Sequence, residues 1–223
     1  MHTEDLYVSA DVYDLQALYF RPKYWDCREN FVDLLDFTNL TTMDKVKYYD
    51  KVFKPFITND RIEKIVDEVA AKINADFEGK DERPIFLCVL NGAIMFTAAV
   101  MKRCNFDAEL VSIKMSSYTG TTSSGTVLVP LGLTGDVSGR TVIIFEDIVD
   151  TGNTIVALKD LLISKGAKDV RICTMLMKPE VYTKSEKLDY VGAEIPNAFI
   201  VGYGLDYDEL GRNLPDIYVL DQD

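Results

Sequence analysis

Histidine is almost missing from this chain. The one residue, His2, stands beside the amino terminus, which removes a Ser/His/Asp triad and His-based acid–base or metal chemistry. Cysteine is scarce as well: Cys27, Cys88, Cys104 and Cys173 form no CxxC pair, so zinc-finger spacing is excluded and reduced thiols are the plain reading. No apolar run approaches the ~20 residues that span a bilayer, and the stretch from Ile94 to Met101 is short and broken by Thr97. The opening MHTEDLYVSAD carries early acids and no basic region ahead of a long apolar stretch, so it does not read as a secretory signal. A cytoplasmic location with no membrane partner is expected. Positive charge is in short supply too, with 24 Lys and Arg against 36 Asp and Glu, a net charge of −12. Such a field repels a phosphate backbone and argues against nucleic acid as a partner.

Of the 223 residues, 48% are hydrophobic, enough for one globular domain with a sizeable core. Residues 1–42 show no sustained period beyond one short amphipathic turn at Phe31, Leu34, Leu35 and Thr38, and no chemistry is assignable there. Met43 is followed by DKVKYYDKVFKPFIT, which reads like an ordinary protein start, so residues 1–42 are taken as an extension of unknown role and 43–223 as the folded domain.

From Thr58 or Asn59 as a cap, Ile62, Ile65, Val66, Val69 and Ile73 recur at helical spacing. Pro84 then precedes IFLCVL, a continuous apolar run expected of a strand buried on both faces, followed by Asn91-Gly92 and the helix AIMFTAAVMKR. The unit recurs as TVIIF (141–145), an acidic turn and a helix with Ile155, Leu158, Leu161 and Leu162 on one side and Gly166 at its end, and again as VRICTML. Strands alternating with helices predict a parallel sheet, whose ligands bind beyond the carboxyl ends of the strands. MSSYTGTTSSGTVLV, residues 115–129, reads as a long hairpin loop; YVGAEIP, AFIVGYGLDY and DIYVL read as short strands.

The most informative segment is VIIFEDIVDTGNT, residues 142–154. A buried strand delivers Glu146, Asp147 and Asp150 into a turn, after which Thr151, Gly152, Asn153 and Thr154 begin a helix. Amides at a helix start, opened by Gly152 and flanked by Thr hydroxyls, bind phosphate; the carboxylates suit ribose hydroxyls and hydrated Mg²⁺. An anion site beside a cation site matches a sugar phosphate that carries a metal-bound pyrophosphate. A merely solvated acidic turn does not account for three acids, two Thr and Gly directly after a buried strand.

Residues 142–154 resemble the signature of the phosphoribosyltransferase family: a hydrophobic strand, two acids, two variable residues, Asp or Ser, Thr or Ser, Gly, any residue, then Thr or Ser. The likeness runs from about Tyr49 to Leu220, and its details resemble the hypoxanthine-guanine branch. It implies an α/β type I fold: a twisted, mainly parallel sheet flanked by helices, with a small hood from N- and C-terminal segments and a flexible hairpin loop. It implies transfer of the phosphoribosyl group from phosphoribosyl pyrophosphate (PRPP) to N9 of a 6-oxopurine, giving IMP or GMP and pyrophosphate, with Mg²⁺ and in a homodimer or homotetramer. By the same resemblance Asp150 is the general base and, with Thr151, Gly152, Asn153 and Thr154, the phosphate loop. Glu146 and Asp147 hold the ribose, and with Asp206 they stand on the metal side. Lys178 addresses the purine 6-oxo group, Phe199 and Ile200 the base, and Arg212 the pyrophosphate. Ser117 and Tyr118 begin a mobile lid. On the residues alone, Lys178 also reads as a solvated lysine, Phe199 as core, and Asp206 with Arg212 as a surface ion pair.

The chain departs from the family at the Leu90-Asn91-Gly92 turn, where Asn91 replaces a frequent Lys or Arg, leaving pyrophosphate to backbone amides and Arg212. The rival readings are a relative preferring xanthine, adenine or a pyrimidine, a PRPP-binding or RNA-binding regulator on the same fold, and an inactive scaffold.

Overall fold

Three apolar segments set the centre of the molecule. The computed structural model describes residues 44–119, 126–131, 133 and 135–222. The extension 1–42, with His2, Cys27 and the turn at Phe31–Thr38, lies outside them. β3 (Ile85–Leu90), β6 (Thr141–Val149) and β7 (Asp169–Met177) lie parallel in one sheet, with registers Ile85↔Val142 and Val142↔Val170. Their side chains divide by the two-residue period. Phe86, Ile143, Phe145, Cys173 and Met175 enter one core layer, whereas Ile85, Leu87, Val89, Val142 and Ile144 enter the other. Both faces are covered, as continuous apolar runs require.

The covers are the expected helices. α1 (Asn59–Phe77) buries Ile62, Ile65, Val66, Val69 and Ile73 in the first layer, together with Phe96 and Val100 of α2 (Ile94–Met101). The Thr58 hydroxyl accepts from the Arg61 N–H at 3.2 Å and caps α1. α3 (Asn153–Ser164) buries Leu158 and Leu162 in the second layer. It stops at Gly166, φ 83°, where the Ala167 N–H donates to the Leu162 carbonyl and the Gly166 N–H to that of Ile163.

β4 (Glu109–Thr119), β5 (Thr126–Leu131) and β8 (Tyr190–Glu194) complete the strand order β5-β4-β3-β6-β7-β8, in which only β5 is antiparallel. The hairpin is there, but its loop is shorter than the sequence suggested. Residues 114–119 pair with 126–131, so SSYT belongs to a ladder, because a polar strand segment that extends past β3 and pairs only with β5 looks like a loop when only composition is read. From β3 the chain moves outward to β4, whereas from β6 it proceeds the other way to β7 and β8. The order reverses between β3 and β6, and a crevice opens at their carboxyl ends.

A second, antiparallel sheet forms the hood from β1 (Val46–Tyr48), β2 (Lys51–Ile57), β9 (Ile200–Val201) and β10 (Ile217–Leu220), in the order β1-β2-β10-β9. Opposite Pro55, which has no N–H for the ladder, the register shifts between Ile217 and Tyr218. Phe53, Val201 and Tyr218 make its own small core, while Ile200 and Ile217 enter the layer of α1 and tie hood to sheet.

Candidate active site

β6 carries the acidic segment further as strand than TVIIF implied. Pairing with β7 continues through Glu146↔Thr174 and Val149↔Met177, so Glu146 and Asp147 are strand residues, and only Asp150, Thr151 and Gly152 make the turn. The ladder of the partner strand decides where a strand ends, and that is not a local property. Alternation then sends the two acids to different sides. Glu146 lines a cavity of about 630 Å³ with Ile148, Val149, Asp150, Thr151, Gly152, Asn153, Thr154 and Ile155. Gly152, at φ 82°, turns the chain into α3, and the first-turn N–H groups of a helix have no intrahelical acceptor. Those amides and the Thr151 and Thr154 hydroxyls supply donors of the kind that an anion at a helix start can accept from.

Asp147 points toward the Asn91-Gly92 turn instead. A methyl on Gly92 would fall 1.6 Å from Asp147 Oδ2, and one on Gly204 would fall 2.1 Å from the Gly92 carbonyl oxygen. Two turns and the end of β6 therefore meet without room for a side chain. The Leu90–Asn91 peptide is cis. Arg212 reaches the same region from the hood: it donates to the Gly204 carbonyl at 2.9 Å and pairs with Asp206 at 2.8 Å and Glu209 at 3.1 Å. Burial pushes Asp147 up to about 6, with the Asp206 charge adding to the rise and the Ile148 N–H and Arg212 opposing it. Burial, and then the charge of Asp147, holds Glu146 well above the usual carboxylate range. Among the described residues no three His, Cys, Asp or Glu side chains converge as a ready metal cage. The donor set is oxygen only and short of positive charge, which suits a hydrated Mg²⁺ that keeps most of its waters.

On the purine side, Lys178, buried at the end of β7, pairs with Asp150 at 2.8 Å. Phe199 leaves 43% of its surface exposed, with its ring tilted against Phe53 at 5.9 Å and edge-on to Tyr207 at 5.7 Å. One face serves as packing and the other is open, so its core and stacking readings are compatible. Ile200 is different: its side chain is in the core, which leaves its backbone for a ligand. Ser117 and Tyr118 pair with Leu128 and Val127 in the β4–β5 ladder, and their side chains lie outside the described part.

Sequence reasoning passed over Tyr182, Lys184, Gly204 and Tyr207. The Gly-Tyr-Gly run at 202–204, now with three positive φ angles, was the available signal for Gly204. Tyr207 donates to Asp50 at 2.7 Å, across 157 residues, and nothing local announces such a contact.

A family profile described as "Phosphoribosyl transferase domain" matches residues 56–208. The hypoxanthine-guanine phosphoribosyltransferase of Streptococcus pneumoniae is 39% identical over 171 residues, covering 76% of this chain and 94% of the relative. The bifunctional protein TilS/HprT of Listeria innocua is 39% identical over 173 residues, which are 77% of this chain but 26% of that protein's length. In three dimensions, the hypoxanthine phosphoribosyltransferase of Trypanosoma cruzi in complex with the product IMP superposes with a TM-score of 0.69 at 34% identity, covering 79% of this chain and 98% of that one.

Proposed function

The chain belongs to the phosphoribosyltransferase family, and from that premise we propose that it is a purine salvage transferase acting on hypoxanthine and guanine. It moves the 5-phosphoribosyl group of PRPP to N9 of the base, giving IMP or GMP and pyrophosphate. One observation carries the choice of base: an ammonium and a carboxylate stand side by side at 2.8 Å, as Lys178 and Asp150. A 6-oxopurine offers an acceptor at O6 beside N7, so Lys178 donates to O6 while Asp150 takes the N7 proton. Adenine would turn an amino donor toward the ammonium, leaving both donors unpaired.

The remaining residues bind and orient. The amides from Thr151 to Thr154 seat the 5-phosphate, Glu146 and Asp147 take the ribose hydroxyls, and Phe199 stacks on the base. As the bond to pyrophosphate lengthens, negative charge grows on the leaving group, and Arg212 stabilises it electrostatically. Asp147, Asp206 and Glu146 are the acids that would hold hydrated Mg²⁺, an ion that would offset pyrophosphate charge when bound.

A coupled assay for pyrophosphate release with hypoxanthine, guanine, xanthine and adenine, with and without Mg²⁺, tests the reading. Release is expected with hypoxanthine and guanine in the presence of Mg²⁺. Turnover of adenine with no turnover of hypoxanthine would overturn it.

A further inference from the structure

The phosphate cavity holds more acid than base. Glu146 and Asp150 line it, while the nearby cations are committed, Lys178 to Asp150 and Arg212 to Asp206 and Glu209. The 90–92 turn supplies no cation, since Asn91 stands there. An arriving phosphate dianion needs compensating charge, and one further lysine is within reach.

Tyr182 and Lys184 lie against Gly152 of the loop. A methyl on Gly152 would fall 2.6 Å from the Tyr182 ring and 2.9 Å from Lys184 Cγ, so the Lys184 stem lies against the loop itself. The segment is anchored on both sides of that contact. The Tyr182 hydroxyl donates to the Glu186 carbonyl at 2.5 Å, the Glu186 carboxylate takes Lys159 at 2.6 Å, and Tyr182 and Leu188 pack on Val149 and Ile155. Lys159, Lys178 and Lys187 each pair with an acid, whereas Lys184 pairs with none among the described residues.

We propose that Lys184 is a phosphate-binding residue, its stem fixed on Gly152 and its ammonium reaching the 5-phosphate of donor and product. The assignment rests on the functional reading above and deepens it. The peptide amides set where the phosphate sits, and Lys184 offsets the surplus negative charge around it. Its contribution therefore depends on the phosphate and not on the base or sugar.

Calorimetric titration of the full chain with IMP and with inosine separates the two. Lys184→Gln, which keeps the stem over Gly152, is expected to weaken IMP about five- to tenfold and leave inosine unchanged. Lys184→Arg is expected to restore most of the loss, and the gap between wild type and Lys184→Gln narrows with added salt. Equal loss for IMP and inosine, or no loss for either, overturns the assignment while wild-type transferase activity upholds the functional reading. Wild-type protein that neither binds IMP nor releases pyrophosphate overturns both.

Discussion

At the scale of single residues, the site is built from charges that their surroundings oppose. Asp150 is 53% exposed and its partner Lys178 is buried, and an amide at 150 can still accept from that ammonium, so the role proposed for the carboxylate is tested by kinetics and not by stability. Asp150→Asn is expected to lower kcat about 10²-fold or more with little change in PRPP KM or in Tm, as steady-state kinetics and a thermal melt will read. An unchanged kcat would remove the proton-handling role. Asp147 is the opposite case. Its folded-state value, raised from 3.8 to about 6 first by burial, means that the folded protein holds this proton more tightly than the unfolded chain. In metal-free buffer stability therefore rises as pH falls from about 6 toward 4, and at neutral pH the charge opposes folding. Asp147→Asn should then raise Tm by several degrees at pH 7.5 without metal, while Mg²⁺ affinity drops. A lower Tm in the variant would show that Asp147 is stabilised by partners, not strained by burial.

At the scale of elements, two helix starts with different chemistry allow a direct comparison. Thr58 caps α1 with its hydroxyl, remote from the cavity, whereas Gly152 opens α3 inside it. Thr58→Ala is expected to cost about 1 kcal/mol in urea unfolding and leave kcat/KM for PRPP unchanged. Gly152→Ala forces a side chain into φ 82° and against Tyr182, and should cost roughly 1–3 kcal/mol along with most of the PRPP affinity. Equal behaviour of the two variants would argue against an anion cradle at α3. The elements themselves were largely legible: IFLCVL, TVIIF and VRICTML are strands because their apolar runs cover both faces, and α1 follows its 3.6-residue period. Their limits were less so. β6 runs through Glu146 and Asp147 and β4 through Ser116 to Thr119, because hydrogen bonding to a partner strand, β7 and β5 respectively, holds polar residues extended where local preference would turn the chain. Of the hood, β9 and β10 were legible in AFIVGYGLDY and DIYVL, whereas β1 and β2 were not, since β2 contains Pro55 and is stabilised by β10, some 160 residues away in the chain.

At the scale of the whole molecule, charge and topology separate two tasks. The net charge of −12 disfavours polyanions in general, while the proposed function asks peptide amides, Lys178 and Arg212 to hold one small anionic ligand. A gel shift with structured RNA at physiological salt is expected to show no retained complex, and a clear shift would return the RNA-regulator reading to contention. The motif of residues 142–154 was readable because it is contiguous. The contacts of Tyr207 with Asp50 and of Lys184 with Gly152 were not, because each forms only after the chain has closed on itself.

The meeting of Gly92, Asp147 and Gly204 also limits how the enzyme can be altered. Neither glycine can take even one added carbon without displacing a neighbouring main chain or carboxylate, so random libraries at these two positions should return almost only wild type. Variation in this region has to come from positions around that meeting point and not from the two glycines.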